Sequence, residues 1–389
     1  MMIKKLTASY GMAALSIVFV FCLLTVYAII FWRQSQGLLA SDLLAHVRFI
    51  GTRLDSIVHP IFHWTTKITS DIFDVDLSRA SVFVLLFYSL LSGCCFFYTL
   101  QAQLKGLYEW PALIIASGTL MVVSAVWLPV FNENIYLGVG TPNVMHNPTL
   151  ITVKPFAFLV LIIYSNLVLE DRFSRRMVAL ILCSVVSLLS VLAKPNFAFA
   201  AIFSMPLWLV FCLRNENIFN WRRFIILLYP ILLMVGCLMY QYFSKYGMEN
   251  SSSKVVFDFL GVASLRSSNV FISLLLLSLF PFLLIVFFPK VLNSYMVLAT
   301  CATYIIACLQ FIFLAESGPR YNAGNFGWGR QILISFVFCV CLAEFLKLCR
   351  MSLNKIEKAK VTILAVIYIV HIISGVIYFN QLLKTDGYY

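Results

Sequence analysis

Residues 33–79 read RQSQGLLASDLLAHVRFIGTRLDSIVHPIFHWTTKITSDIFDVDLSR, a polar interval between two long apolar runs. The interval holds three of the five histidines of the chain and five of its acidic residues. Ionisable groups are rare in membrane-spanning segments, where they are costly and usually functional. We therefore expect residues 33–79 to form a loop outside the bilayer, and we look for chemistry there first.

The start of this loop has the spacing of an amphipathic helix. Apolar residues recur at helical intervals, and Asp42 and His46 lie four residues apart on the remaining face. A helix of this kind rests its apolar side on membrane or protein and leaves its polar side in water. The apolar positions are Leu43, Leu44, Val47 and Ile50.

The composition is that of a polytopic membrane protein. Of the 389 residues, 62% are hydrophobic and 35 are phenylalanine, with a mean hydropathy of +0.94. The net charge of +12 is spread over the ends of apolar runs, as topology determinants are, so we expect no nucleic-acid partner. The 11 cysteines lie within or beside apolar runs, which indicates neither disulfides nor a zinc site. We predict one all-α transmembrane helical bundle over residues 1–389.

Eleven apolar runs are near the ~20 residues that a helix needs to cross the hydrocarbon core. The first follows the basic sequence MMIKK and lacks a small-residue cleavage site, so we interpret it as a retained span. Lys and Arg in alternate short loops place the N-terminus in the cytoplasm and the C-terminus outside. The predicted spans are 11–32, 80–101, 110–131, 153–169, 176–193, 197–213, 222–243, 269–289, 292–315, 331–348 and 361–380.

Two histidines further along the first loop, His59 and His63, also lie four residues apart. An interfacial helix with its polar side in water explains this pair, and two histidines without a third ligand fall short of a metal site. The sequence therefore indicates no cofactor or metal. We retain Arg48, His59 and His63 as candidates for substrate binding.

A second polar segment, residues 134–156, contains two glycines and three prolines. This pattern predicts irregular backbone near the membrane, which is tolerated only where it packs in protein or lines a wet cavity. Two interpretations stay open, a structural re-entrant turn and a rigid support for substrate-binding side chains. The candidates for binding are Asn143, His146, Asn147 and Lys154, although Lys154 also suits an interface anchor.

Lys194 lies in the turn Lys194-Pro195-Asn196 between two apolar runs. A cation in this place is costly unless it reaches the interface or meets an anion. Lys194 is therefore either an interface anchor or a ligand for phosphate.

Residues 316–330 read ESGPRYNAGNFGWGR, and their four glycines let the backbone approach a ligand closely. An arginine here can bind phosphate through two parallel hydrogen bonds, and the aromatic side chains can stack on a sugar ring. An aromatic belt with a snorkelling Arg330 is the alternative. The candidates for substrate binding are Glu316, Arg320, Tyr321, Asn325 and Trp328.

These features resemble the GT-C superfamily of polyprenyl-phosphate-dependent integral-membrane glycosyltransferases. The resemblance rests on a first outer loop with an Asp soon after the first span, amphipathic helices behind it, and a string of spans with short loops. The runs at 138–149 and 316–330 add short motifs, and the architecture covers the N-terminal two thirds of the chain. No Asp-Glu or Asp-Asp pair follows the first span, and no large soluble C-terminal domain is present in this sequence.

The resemblance implies transfer of a sugar from a polyprenyl-phosphate carrier to a glycan or lipid acceptor. The site would face outward from the bacterial cytoplasmic (inner) membrane and serve the synthesis of surface polysaccharide. Asp42 matches the catalytic carboxylate by position, and His46 would orient it or bind phosphate. The donor phosphate would meet Lys194 and Arg320, with His146 and Lys154 as further candidates.

Two other function classes stay open. An O-antigen or capsule polymerase, or a ligase, also uses polyprenyl-linked donors, but usually keeps its functional residues in larger loops late in the chain. A transporter or flippase of lipid-linked sugars predicts charges inside spans and pseudo-symmetric halves, and neither is evident in the sequence.

Overall fold

The computed structural model describes residues 2–54, 57–131, 140–169, 173–214, 221–246 and 254–387. Most of these residues are helical, which confirms the predicted all-α polytopic bundle. In the described ranges, nine helices are long and apolar enough to cross a membrane. The helices are α1 (Met2–Ser35), α2 (Leu43–Arg53), α3 (Ile61–Phe73), α4 (Leu77–Gln103), α5 (Trp110–Leu120), α6 (Pro148–Leu169), α7 (Phe173–Ala193), α8 (Asn196–Arg214), α9 (Trp221–Tyr246), α10 (Gly261–Arg266), α11 (Val270–Leu277), α12 (Leu279–Phe287), α13 (Tyr295–Phe313), α14 (Trp328–Leu348) and α15 (Lys355–Lys384).

The central element is α14, which packs against α4, α6, α8 and α13. Of its most hydrophobic stretch, 78% is buried, compared with 28% for α1 and 33% for α15. A helix that is apolar on all sides belongs in the interior, whereas α1 and α15 keep one side free for lipid. Because α14 lies in the interior, its two termini mark the two ends of the bundle.

The helix predicted over residues 110–131 is wrong beyond Leu120, because α5 has only 11 residues. After α5 the chain continues without helix to Phe131. The whole segment, residues 108–131, contacts the two opposite ends of the bundle. Tyr108 Oη donates to the Leu346 carbonyl near the end of α14 (2.9 Å). Asn269 Nδ2 donates to the Phe131 carbonyl (3.3 Å), and Arg266, three residues earlier, donates to the Asn322 carbonyl in the segment that leads into α14. The segment thus covers the same distance as a span without being one helix.

The non-helical stretch after α5 packs directly against α15. A Cβ atom at Gly375 would collide with the Val122 carbonyl, so only glycine allows this approach. The backbone of Ser124 exchanges hydrogen bonds with α15, since its N–H donates to the His371 carbonyl (3.1 Å) and its own carbonyl bonds His371 Nδ1 (2.6 Å). These bonds satisfy backbone groups that would otherwise be unpaired in an apolar interior.

The span predicted over residues 269–289 is also broken. Helices α11 and α12 meet at Ser278 with a bend of 74°. His371 Nε2 accepts a hydrogen bond from the Phe280 N–H at the start of α12 (3.3 Å). If this bent pair is one span, the described residues contain ten spans, rather than about eleven regular ones.

The two amphipathic helices predicted in the first polar loop are present as α2 and α3. In α2, Leu43 and Ile50 are buried, while Asp42, which precedes the helix, is exposed. In α3, Phe62 and His63 are buried, and the opposite face leaves Trp64 about half exposed. Asp55, between the two helices, lies outside the described residues.

Two short strands lie at the end of the bundle where α14 begins. Strand β1 (Val255–Phe257) pairs antiparallel with β2 (Leu314–Glu316), in the register Val256 opposite Ala315. Short 3-10 helices at Gly318–Ala323 and Asn325–Gly327 then lead into α14. This arrangement fixes the Gly-rich segment 316–330 above the first turn of α14.

The last described residues return to the loop that follows α1. The Ala40 N–H donates to the Asp386 carbonyl (2.8 Å), and Arg33 pairs with the Asp386 carboxylate (3.4 Å). Residues 385–387 therefore lie at the same end of the bundle as Asp42.

Candidate active site at the polar end of the bundle

Asp42 stands at the start of α2 and is fixed by the second polar segment. Its backbone N–H donates to the His146 carbonyl (2.9 Å), and its Oδ2 accepts a hydrogen bond from Asn147 Nδ2 (2.7 Å). The side chain is exposed at the bundle surface. Asp42 is therefore an oriented carboxylate that remains open to a ligand.

Asn147 is the N-cap of α6 and the centre of the site. Its Oδ1 accepts from the Leu150 N–H (2.9 Å) and from the Thr149 hydroxyl (2.8 Å). Asn followed by Pro at the first helical position is a strong start signal for a helix. Because Oδ1 serves these donors, the NH₂ group of the amide faces Asp42.

Lys194 approaches the same amide from the turn between α7 and α8. Its Nζ donates to Thr149 Oγ1 (3.0 Å) and to Asn147 Oδ1 (3.4 Å), and it lies 5.5 Å from the centroid of a Trp328 ring. Burial lowers the pKa of Lys194 to about 8, although Asp42 raises it. The Asn147 amide therefore lies between the Asp42 carboxylate and the amine of Lys194, which is mostly protonated at neutral pH.

His146 lies beside this group and packs on Trp328, with ring centroids 5.3 Å apart. Burial lowers the pKa of His146 to about 4, with Asp42 raising it and Lys194 and Arg266 lowering it. This shift favours the neutral imidazole at pH 7.

His46, which lies one helical turn after Asp42, forms a pair with His63. His46 Nδ1 lies 2.9 Å from His63 Nε2, and His63 Nδ1 lies 3.2 Å from the His59 carbonyl oxygen. Burial lowers the pKa of His46 to about 3 and that of His63 to about 4. His59 takes part through its backbone carbonyl.

The Gly-rich segment is bound to the Lys194 turn. Asn196 Nδ2 donates to the Asn325 carbonyl (2.6 Å), and Asn325 Nδ2 donates to Glu316 Oε2 (2.6 Å). Arg320 lies 3.8 Å from the same carboxylate oxygen. Glu316 is therefore paired within its own segment, and the chain of contacts leads from Arg320 to the turn that holds Lys194.

One glycine of this segment has a clear packing role. A Cβ atom at Gly329 would lie 2.8 Å from the Asn196 carbonyl oxygen, which is too close for any other residue. The close approach that the sequence predicts is thus made to the backbone of the Lys194 turn. Tyr321, another candidate, donates to Asp258 Oδ2 (2.7 Å) and ties the segment to the β1 side.

Three sequence candidates lie away from the Asp42 group. Asn143 Nδ2 donates to the Leu120 and Val123 carbonyls, at 3.0 and 2.8 Å. Lys154 Nζ donates to the Pro142 carbonyl (2.5 Å) in the interior, so it does not snorkel to an interface. Both line a small internal cavity, and Arg48 is exposed on α2.

Two further residues shape the site and are not among the sequence candidates, and a third, Arg330, is not where an interface anchor would lie. Thr149 bonds Lys194, and the Asn-Pro-Thr start of α6 was the signal for it. Arg266 influences His146 from α10, across a sequence separation that no local pattern reveals. Arg330 is 1% exposed and lies 4.0 Å over the ring of Phe311, so it is not a snorkelling interface residue.

The described residues contain no group of three or more His, Cys, Asp or Glu side chains placed to hold a metal ion. Carboxylate, ammonium, amide and neutral imidazole are therefore the groups that this part of the chain presents around Asp42.

The fold is similar to that of the oligosaccharyltransferase of Archaeoglobus fulgidus, whose crystal structure carries a tethered acceptor peptide. The TM-score is 0.51 and the sequence identity is 12%. The match covers 95% of this chain and 55% of the archaeal protein, so the chain spans about half the length of that enzyme. No protein-family model and no curated protein matches the sequence.

The fold and the site together define a class. The chain is a polytopic membrane helical bundle with an oligosaccharyltransferase-like arrangement of helices. It carries a polar site where the first loop, the start of α6 and the start of α14 meet. At this identity the similarity shows a shared fold, and the site has to supply the argument for an activity.

Proposed function

We propose that the protein is an integral-membrane glycosyltransferase that moves a sugar from a polyprenyl-phosphate carrier to a hydroxyl of a glycan or lipid acceptor. The observation that carries the proposal is the shared bonding of Asp42 and Lys194 to the Asn147 amide. It brings a carboxylate and an ammonium next to each other at one end of the bundle, which supports the roles of base and phosphate-binding cation.

Asp42 has the properties of a general base. Its carboxylate is exposed, and the hydrogen bond from Asn147 fixes the side chain through Oδ2. The other oxygen is left to accept the proton of an acceptor hydroxyl. A base positioned in this way typically contributes ~10²–10⁴-fold to the rate.

Lys194 is suited to the donor phosphate. Two of its three N–H donors are used by Asn147 and Thr149, which leaves one for a ligand oxygen. The N-termini of α6 and α8 begin at this group and add positive ends of helix dipoles. Trp328 provides an apolar ring face beside the ammonium, against which a sugar ring can stack.

These groups support a displacement at the anomeric carbon of the donor sugar. The acceptor oxygen forms a bond to this carbon while the bond from the carbon to the phosphate oxygen breaks. The released electron pair stays on the phosphate, where Lys194 balances the charge, and the hydroxyl proton passes to Asp42. The products are the glycosylated acceptor and the polyprenyl phosphate.

Arg320 is the second cation of the proposal. It lies in the segment that is bound to the Lys194 turn, and its side chain is 39% exposed. This exposure allows the guanidinium to turn from Glu316 toward a second phosphate oxygen.

The proposed orientation in the membrane rests on the basic residues at one end of the bundle. The end opposite Asp42 carries basic residues such as Lys105, Lys347 and Arg350, which indicate a cytoplasmic surface. We therefore place the site at the outer face of a bacterial cytoplasmic membrane and the activity in surface polysaccharide synthesis. The similar fold of the archaeal oligosaccharyltransferase supports the more general proposal of a membrane glycosyltransferase.

The test is transfer by the purified protein in detergent. It is incubated with a panel of radiolabelled polyprenyl-phosphate sugars and with lipid-linked glycan acceptors, and label in the acceptor is measured. Asp42→Asn should abolish transfer because it keeps the shape of the side chain and removes its basicity. Donor binding and protein yield should stay near those of the wild type.

The matched control is Asp71→Asn in the same loop. Asp71 is exposed on α3 and pairs with Lys67, so its loss should leave transfer close to wild type. Equal transfer by Asp42→Asn and Asp71→Asn would refute the role of Asp42. If Glu316→Gln is inactive while Asp42→Asn is active, the base lies in the Gly-rich segment, and the polymerase or ligase alternative is favoured.

A further inference from the structure

Buried His63 and half-buried His46 of the first loop form a directed chain of hydrogen bonds. The chain begins at the His59 carbonyl oxygen, passes through the ring of His63 and ends at the ring of His46. A carbonyl oxygen can only accept, so His63 Nδ1 carries the hydrogen of the first bond. This one backbone group sets the direction of every bond that follows.

Neutral imidazole has one N–H and one acceptor nitrogen. With the hydrogen of His63 on Nδ1, its Nε2 is the acceptor, and His46 Nδ1 must donate to it across 2.9 Å. The remaining nitrogen, His46 Nε2, is then an acceptor. The pair is therefore locked in the tautomer with hydrogen on Nδ1, which is the less favoured one for free histidine in water.

Burial keeps both rings neutral and so preserves this chain. His63 is 2% exposed, and Phe62 stands edge-on to both imidazoles. The pKa values of about 3 for His46 and about 4 for His63 lie well below neutral pH. At pH 7 neither ring supplies a positive charge.

His46 lies one helical turn after Asp42, and its backbone N–H donates to the Asp42 carbonyl (3.1 Å). Asp42 accepts a hydrogen bond from Asn147, and Lys194 donates to the same amide, so His46 lies on the same side of the bundle as the proposed phosphate-binding cation. A neutral acceptor nitrogen at this position repels phosphate oxygens, which are acceptors too. It attracts a group that donates a hydrogen bond, and sugar hydroxyls are such groups.

We infer that His46 Nε2 accepts a hydrogen bond from a hydroxyl of the sugar substrate beside Asp42, and that His63 is the positioning residue that fixes the tautomer. The inference rests on the proposed function for the identity of the substrate. It replaces the expectation that His46 binds phosphate. The hydrogen-bond chain itself does not depend on any activity.

The test is nitrogen NMR of the full-length protein in detergent, with ¹⁵N-labelled histidine and assignment by single substitutions. His46 and His63 should both show hydrogen on Nδ1 at pH 7. His371 serves as an internal reference, because its Nδ1 bonds the Ser124 carbonyl while its Nε2 accepts from Phe280. Hydrogen on Nε2 of His46 in the wild type would overturn the inference.

Addition of farnesyl phosphate, an anion without sugar, separates the two roles of His46. The ring should stay neutral with hydrogen on Nδ1 when this probe binds. An imidazolium signal from His46 in the presence of farnesyl phosphate would show a phosphate ligand and overturn the inference.

Substitutions of His63 test its positioning role. His63→Phe keeps a ring but removes the acceptor, so the His46 signal should shift toward hydrogen on Nε2, and kcat/KM for transfer should fall about tenfold, as for the loss of one hydrogen bond. His63→Gln offers an amide oxygen in place of Nε2 and should restore the wild-type tautomer and most of the activity. His59→Ala should leave the tautomer unchanged, because His59 contributes its backbone carbonyl.

The two proposals fail in different ways. If the wild type transfers no sugar from any donor but shows hydrogen on Nδ1 of His46, the glycosyltransferase proposal is refuted and the hydrogen-bond chain is supported. If transfer is robust but His63→Phe leaves both the tautomer and kcat/KM unchanged, the positioning role of His63 is refuted and the proposed function stands.

Discussion

Raising the pH from 7 to 9 should weaken donor binding about tenfold, because Lys194 loses its proton in this range. Burial lowers the pKa of Lys194 to about 8, despite the opposing effect of Asp42. A group with this pKa is ~90% protonated at pH 7 and ~10% protonated at pH 9. A fully exposed lysine would stay charged over the same interval.

The sign follows from the charge that the donor needs. The phosphodiester of the donor is anionic throughout this range, and it binds the protonated form of Lys194. Affinity is therefore nearly complete at pH 7 and falls as the pH rises through about 8. His46, His63 and His146 are already neutral at pH 7, since their pKa values are about 3, 4 and 4, and they add nothing to the change.

The assay is equilibrium binding of a fluorescent polyprenyl-phosphate sugar to the purified protein at pH 7, 8 and 9. Lys194→Arg keeps the charge at all three values, so its affinity should be independent of pH. Lys67→Met removes an exposed lysine of α3 and should behave like the wild type. A flat profile for the wild type, or an equal loss of affinity in Lys194→Arg, would refute the phosphate-binding role of Lys194.

Three other perturbations test the site and its setting. Asn147→Asp keeps an N-cap for α6 but sets a second carboxylate against Asp42, so kcat/KM should fall about 10–100-fold, as for loss of a hydrogen bond to a charged group. A loss of protein yield instead of activity would contradict this. Gly329→Ala should destabilise the fold by about 1–3 kcal/mol in thermal unfolding, since its Cβ would meet the Asn196 carbonyl. Gly236→Ala, which has open space, should be neutral or stabilising, and equal effects of the two changes would refute the packing argument. A C-terminal alkaline phosphatase fusion should be active, whereas an inactive one with a fluorescent C-terminal fusion would place the site in the cytoplasm.

The sequence predicted the membrane-spanning helices well where hydrophobicity runs unbroken. Regular spans such as α4 and α6 are set by length and composition alone, because backbone groups in lipid must bond within their own helix. The sequence also predicted α2 and α3, since their periodicity separates a buried face from an exposed one.

Hydrophobicity could not show where the protein interior, rather than lipid, surrounds a segment. Residues 121–131 are as apolar as a span, yet they run without helix because α15 and α11 satisfy their backbone groups. Gly375 and His371 make this packing feasible, and both lie about 250 residues away in the chain.

The residue types of the candidate site were visible in the sequence, but their grouping was not. Asp42, Asn147 and Lys194 are polar residues in or beside the segments between apolar runs, and so are Asn143 and Lys154. The first three meet at one amide, whereas the other two turn inward to backbone carbonyls.

The sequence by itself determined that this chain is an all-α membrane bundle with its polar residues concentrated in a few loops. Hydrophobic length and helical period act locally, so a single sequence reveals them. Only the tertiary structure decided which loops meet, because side-chain hydrogen bonds join residues that are more than a hundred positions apart. The direction of the His63–His46 hydrogen-bond chain likewise depends on the backbone carbonyl of His59, and no sequence pattern predicts a bond of that kind.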